Sequence, residues 1–107
     1  MMLTIYIFGS VYKVKIILEK GAIFMIEFKF DVQLLIEGKN LSEDMAFEYI
    51  STKINGDNLL AVGDESLLKV HYHTNEPWQV LEYCASLGEI HDIVVENMER
   101  QANGLQG

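Results

Sequence analysis

Residues 68–73, Leu68-Lys69-Val70-His71-Tyr72-His73, decide how this chain folds. Apolar side chains at 68, 70 and 72 alternate with polar ones, which predicts a β-strand with one buried face. Residues 26–36 alternate in the same way and predict a long first strand. Its apolar side chains are Phe28, Phe30, Val32, Leu34 and Ile36.

Two helices are predicted between and after these strands. Ser42 is a good N-cap for a helix over residues 42–54, whose apolar stripe would comprise Met45, Tyr49 and Ile50 with Phe47 or Ile54. Pro77 suits the first turn of a second helix that ends at Gly88. Its predicted apolar face consists of Trp78, Leu81, Cys84, Ala85 and Leu87.

The order of elements predicts the fold class. A short strand at 59–62 and a strand at 90–97, with Ile93 and Val95 pointing inward, complete a β-α-β-β-α-β order. This order indicates an α+β, ferredoxin-like two-layer sandwich. Strands one and three would lie side by side and antiparallel, with both helices on one face and the other face open.

The chain divides into three parts. Residues 1–25 predict an extra β-type segment, a hairpin turning at Gly9-Ser10. Residues 26–100 form the predicted domain, and residues 101–107 a flexible tail. Residues 3–18 are apolar but contain Lys13 and Lys15 and are shorter than the roughly 20 residues of a spanning helix, so a membrane span or a signal peptide is not expected.

Charge and cysteine content narrow the function. The chain has a net charge of −8. By sequence count, residues 1–25 contribute +2 and residues 26–107 contribute −10. An acidic body repels phosphate backbones, so nucleic-acid binding is not expected. Cys84 is the single cysteine, which excludes an internal disulfide and a cysteine-cluster zinc site and agrees with a cytoplasmic location.

A candidate metal site lies on the face that the helices leave open. His71 and His73 point the same way from strand three, roughly 6.5–7 Å apart along the chain. Asp31 and Gln33 of strand one point to that face beside them. Asp31, His71 and His73 could hold a divalent metal ion, with zinc as a candidate and a coordination position left open. The alternative is two solvated histidines on a polar sheet face.

Motifs for phosphate and acyl chemistry are missing from the sequence. It contains no GxxxxGK loop, no dinucleotide fingerprint and no GxSxG. We therefore expect no ATP site in this chain, no catalytic residues, and no complete enzyme on its own.

Two segments resemble the middle domain of the fatty acid kinase, or dihydroxyacetone-kinase-like, family. Residues 33–41, QLLIEGKNL, are similar to the family's EFILEGKNL. Residues 68–77, LKVHYHTNEP, are similar to the VKVHVHTNDP portion of its VGDDDLVKVHVHTNDP block. Shorter matches continue to Met98, whereas residues 1–25 match nothing in the family.

The resemblance implies an accessory domain of an ATP-dependent kinase for fatty acids that a separate protein carries. The family's nucleotide-binding and C-terminal domains have no counterpart in this chain. The resemblance also implies that His71 and His73 are site residues, together with a cysteine of the family whose position is occupied by Asp31 in this chain. Asp31 weakens the case for thiol chemistry here. It can still bind a metal ion, because a carboxylate is also a metal ligand, although a harder one than a thiolate.

Three functions are compatible with these observations. The first is a non-catalytic accessory domain that binds metal, forms a homodimer through the open sheet face, or docks to kinase domains or a fatty-acid-binding protein. The second is a small regulatory ligand-binding module. The third is a metal-dependent hydrolase with Glu27 or Glu96 as its base. Metal content and thermal stabilisation would separate them.

Overall fold

The computed structural model describes residues 2–7, 10–17 and 23–107, with side chains from residue 26 onward. The described part contains two β-sheets and three helices. In chain order its elements are β1 (Met2–Ile7), β2 (Ser10–Ile17), β3 (Ile23–Ile26), β4 (Phe30–Glu37), α1 (Glu43–Lys53), β5 (Gly56–Gly63), β6 (Leu67–Thr74), α2 (Pro77–Leu87), β7 (Glu89–Asn97) and α3 (Met98–Ala102).

Strands β4 to β7 form one antiparallel sheet in the order β5-β6-β4-β7. Val32 lies opposite Tyr72, and Asp31 lies opposite His73. The predicted pairing of the strands that contain these residues is therefore confirmed. The domain is a mixed α/β unit built on a four-stranded antiparallel sheet.

Helices α1 and α2 cover the same face of this sheet. The buried side chains of these helices pack against alternate side chains of β4 and β6. The alternation of apolar and polar residues in the sequence therefore correctly predicted the sheet face that the helices cover. The core consists of Val32, Leu34, Ile36, Ala46, Ile50, Ile54, Ala61, Leu68, Val70, Tyr72, Val80 and Cys84.

Helix α1 begins where the sequence predicted, but it buries a different stripe. Ser42 Oγ accepts a hydrogen bond from the Met45 amide at 3.2 Å, which satisfies one of the free amides of the first turn. Ala46 and Ile50 are buried. Met45 is 71% exposed, and Phe47 and Tyr49 are also exposed, so the predicted stripe was wrong at these positions. Ala46 has a small side chain and lets the helix approach the sheet closely.

Helix α2 begins at Pro77 and buries Val80 and Cys84. Trp78, predicted to join its apolar face, is 59% exposed. No helix in the described ranges is long and apolar enough to cross a membrane.

The burial predicted for Ile93 and Val95 of β7 was incorrect. Ile93 is 46% exposed and Val95 38% exposed, whereas Ile90 packs against the core. Val95 lies opposite the buried Val32, so it faces the helix side of the sheet as predicted but is not enclosed. The pairing of β7 with β4 shifts register between Gln33 and Leu35, and Asp92 takes a φ of +50°. This irregularity changes the side-chain alternation along β7, which also lies at the edge of the sheet.

The first strand is interrupted. Ile26 ends β3, which pairs with β2 in a separate sheet, and β4 starts at Phe30. Asn75 stabilises the segment between β3 and β4. Its Nδ2 donates to the Glu27 carbonyl at 2.8 Å, and its Oδ1 accepts from the Lys29 amide at 3.0 Å. The predicted N-terminal hairpin is confirmed by the antiparallel pairing of β1 and β2. Ser10 of its predicted turn instead begins β2 and lies opposite Ile7, and Gly9 lies outside the described residues.

Candidate metal site

The candidate site is assembled by the central strand pair of the four-stranded sheet. β4 and β6 are antiparallel, with Asp31 directly opposite His73 and Gln33 opposite His71. Side chains at paired positions point to the same face. The face opposite the helices therefore gathers one carboxylate, one amide and two imidazoles.

Three donor atoms converge on one point of this face. Asp31 Oδ1 lies 3.0 Å from His71 Nε2 and 4.0 Å from His73 Nε2, and the two Nε2 atoms are 3.1 Å apart. Ligands of a tetrahedral zinc ion, each about 2.0–2.2 Å from the metal, lie about 3.3 Å from one another. The observed separations bracket this value, so the three atoms can share one ion with little movement.

The site is partly buried and open on one side. His73 is 1% exposed, while the side chains of Asp31 and His71 keep 18% and 20% of their surface. An ion would thus reach the site past Asp31 and His71. A fourth ligand, either water or a group from another molecule, could approach from the same side.

The environment keeps His73 neutral and Asp31 ionised. Burial lowers the pKa of His73 below its ordinary 6.5, and the neighbouring His71 adds to this effect while Asp31 opposes it. Burial alone would raise the pKa of Asp31. The combined interactions with His71, Gln33 and His73 outweigh it and hold that pKa below 3.8. At neutral pH the site offers an imidazole lone pair and a carboxylate, as metal binding requires.

Asp31 Oδ1 is shielded from solvent and has no partner in good hydrogen-bond geometry. Its nearest polar neighbour is His71 Nε2, at the 3.0 Å distance of an ion pair. Its other oxygen, Oδ2, accepts from Gln33 Nε2 at 3.1 Å. The facing Nε2 atoms of His71 and His73 can share only one proton between them when both rings are neutral. One cation would satisfy all three atoms.

A second carboxylate supports His73 from behind. Asp57 Oδ1 lies 3.6 Å from His73 Nδ1, on the side of the ring away from Asp31. Carboxylates in this position orient metal-binding imidazoles and raise their basicity. Asp57 belongs to β5 and lies opposite His73 in the register of the sheet.

The structure brings Asp31, His71 and His73 together, and these three form a group of potential metal ligands within the described ranges. Metal binding by them remains a prediction. His91 lies outside this group of ligands. It is on β7, where its Nε2 is 2.9 Å from Oε1 of Glu37 on β4. Cys84 is buried in the core, and burial raises the pKa of its thiol to about 12.

The fold and the convergence of ligands define an α/β domain with a candidate metal site on its open face. The chain belongs to the FakA-like middle-domain family, which takes its name from fatty acid kinase and matches residues 27–105. The family resemblance recognised in the sequence is thereby confirmed.

Individual relatives match a shorter segment. Protein YloV of Bacillus subtilis is 52% identical over 46 residues, which cover 43% of this chain and 8% of that protein. Uncharacterised proteins of Staphylococcus saprophyticus and Staphylococcus aureus strain USA300 are each 46% identical over 46 residues, with the same coverage. The matched segment is therefore a small fraction of these relatives, and their remaining parts have no counterpart in the alignment.

Proposed function

We propose that this chain is a non-catalytic accessory domain of a fatty-acid-kinase-like system and holds a divalent metal ion through Asp31, His71 and His73. The observation that carries the proposal is that one ligand atom from each of these residues lies within 4.8 Å of the others. Family membership supports the accessory role. The sheet order, with both helices on one face, supports a ferredoxin-like assignment of the fold.

The donor set suits a transition-metal ion. Two imidazole nitrogens and one carboxylate oxygen bind zinc well and also accept manganese or iron. Zinc is our first choice, because its ligand spacing matches the distances between the three atoms. Bound there, the ion would cross-link β4 to β6 and stabilise the sheet. Asp57 would keep the His73 ring in position.

We further propose that the open face mediates homodimer formation. It presents exposed apolar side chains beside the metal ligands, and these are Leu60, Val62 and Val94 with the half-buried Leu35. A shallow depression of about 210 Å³ among Gln33, Leu35, Lys69 and Val94 could receive a side chain of a second copy. Kinase domains or a fatty-acid-binding protein would then complete the system in the cytoplasm.

Metal content and thermal stability test the metal proposal. Wild-type protein, the double variant His71→Ala/His73→Ala and the control His91→Ala are dialysed against zinc, manganese and iron(II) separately and analysed for bound metal. We expect about one ion per wild-type chain and per control chain, and none in the double variant. The control changes a histidine that lies outside the three-ligand group.

The thermal shift should follow the same pattern. A ligand at about 100 times its dissociation constant adds about 2.7 kcal/mol of stability, which corresponds to roughly 10 °C or more for a domain of this size. Wild type and His91→Ala should show that shift and the double variant should not. Equal metal content and equal shifts in all three proteins would refute the site. Stabilisation by a small effector without metal would instead favour the regulatory-module alternative.

Dimer formation is tested by light scattering during size exclusion. Val94→Asp places a charge on the open face, whereas Phe47→Asp places one on an exposed position of α1. A dimeric wild type that becomes monomeric only with Val94→Asp supports the proposed interface. A monomeric wild type in the presence of zinc at high concentration contradicts it.

A further inference from the structure

The outer surface of the helix layer carries a groove that neither the metal site nor the sheet face uses. It has a volume of about 400 Å³ and lies between α1 and α2. We call it the helix groove and define it by six of its lining side chains, Tyr49, Trp78, Gln79, Glu82, Tyr83 and Ser86.

Aromatic rings dominate the helix groove. Tyr49 of α1 stacks on Tyr83 of α2 with ring centroids 3.8 Å apart and planes inclined by 6°. Trp78 is largely exposed at one end of α2. The sheet below is already sealed by Ala46, Ile50, Val80 and Cys84, all buried. Tyr83 is half-buried and packs against this core, whereas Tyr49 and Trp78 stay exposed in the same groove. Exposed aromatic side chains gathered in one groove are typical of an interaction site.

Charge restricts what can cover this surface. Glu43 Oε1 accepts a hydrogen bond from the Gly63 amide, and helices α1 and α2 carry three further carboxylates, Asp44, Glu48 and Glu82, against the single basic residue Lys53. Of the described residues that line the helix groove, Glu82 alone is charged. A second copy docking through the same face would bring like charges together, which disfavours it. A basic partner fits both the aromatic rings and the carboxylates.

We propose that the helix groove binds a basic amphipathic helix of a partner protein. Apolar side chains spaced at i and i+4 pack on the Tyr49–Tyr83 pair. A flanking arginine stacks over Trp78 and pairs with Glu82, since guanidinium groups favour indole faces and carboxylates. The groove lies on the face opposite His71 and His73, so this proposal stands independently of the metal site.

Fluorescence measurements on the full chain test it. The probe is a labelled peptide of about four helical turns with leucine on one face and arginine on the other. The reference peptide has glutamate in place of every arginine. Anisotropy reports binding, and the emission of Trp78, the only tryptophan, reports its location. The variants are Trp78→Ala, Trp78→Phe and Glu82→Lys, with Glu89→Lys as a charge-matched control on β7.

We expect the arginine peptide to bind and to shift Trp78 emission to shorter wavelength. Trp78→Ala and Glu82→Lys should each weaken binding about tenfold, consistent with the loss of an interface anchor. Trp78→Phe should retain most of the affinity, and Glu89→Lys should change it less than about twofold. Four results would each overturn the proposal: no binding, equal binding of the glutamate peptide, equal weakening by Glu89→Lys, or a dimer that Trp78→Ala dissociates.

Discussion

The hydrogen bond between Tyr72 and the end of α1 allows a quantitative test of how the sheet holds the helix layer. Tyr72 Oη donates to the Ile54 carbonyl at 2.6 Å, and both residues are buried. Ile54 is the C-cap of α1, where carbonyls have no partner within the helix. Tyr72→Phe removes the donor while keeping the ring, so the Ile54 carbonyl loses this bond in a buried environment.

The expected loss follows from this geometry. A hydrogen bond exchanged for water contributes about 0.5–1.5 kcal/mol, but a buried acceptor left without a donor costs about 1–3 kcal/mol. We expect the free energy of unfolding to fall by about 1–3 kcal/mol, because the phenyl ring left at residue 72 still shields the Ile54 carbonyl from water. With an m-value of about 1–3 kcal/mol/M, the midpoint of urea unfolding should fall by roughly 1 M at constant m.

Tyr49→Phe is the matched control. It removes the same hydroxyl from an exposed tyrosine of α1 and keeps the stack with Tyr83. Surface changes of this kind stay within about 0.5 kcal/mol. Circular dichroism during urea titration measures both variants. The reasoning is wrong if Tyr72→Phe unfolds within about 0.5 kcal/mol of wild type, as the control should.

Three further predictions concern the site and the core. In Gly56→Ala the new Cβ would lie 2.3 Å from the His73 carbonyl oxygen. We therefore expect the free energy of unfolding, measured in a urea melt, to fall by about 1–3 kcal/mol and zinc binding to weaken. Gly104→Ala, whose new Cβ would meet no atom within 4 Å, should leave zinc binding unchanged. Asp31→Cys should tighten zinc relative to manganese in competition titrations, because thiolate is the softer ligand; an unchanged preference would argue against ligation by residue 31. Burial raises the pKa of Cys84 from 9.0 to about 12, so the native state holds the thiol proton more strongly than the unfolded state. The free energy of unfolding should therefore fall as pH rises from 9 to 12. Cys84→Ala should flatten this part of the stability profile in pH-dependent melts, and an unchanged slope would contradict the prediction.

The centre of the fold could be predicted because β4 alternates over residues 30–34 and β6 over residues 68–73. Over these residues each strand has one apolar and one polar face, so the positions of Val70 and Tyr72 also fix those of His71 and His73. Pairing with β4 then brings Asp31 beside them. The topology and the candidate ligands therefore follow from a single pattern.

Other features depend on contacts that the sequence does not reveal. Helix α1 offers two adjacent apolar stripes, and close approach to the sheet selects the one with Ala46 rather than that with Met45. In β7 the run Ile93-Val94-Val95 has no alternation, and the irregularity near Asp92 determines its orientation. Asp57 joins the site because β5 extends further towards α1 than its apolar residues suggest.

Strand β6 has little freedom to change in length. On one face, Tyr72 and Thr74 donate hydrogen bonds to the carbonyls of Ile54 and Asn55. On the other face, His71 and His73 form part of the candidate metal site. Deleting or inserting one residue inside β6 would exchange the two faces, turning imidazoles towards the helix layer and turning away from it the side chains that hold α1. We therefore expect related sequences to vary in the identity of residues along this strand but to keep its residue count, and to place insertions at the turn after β5.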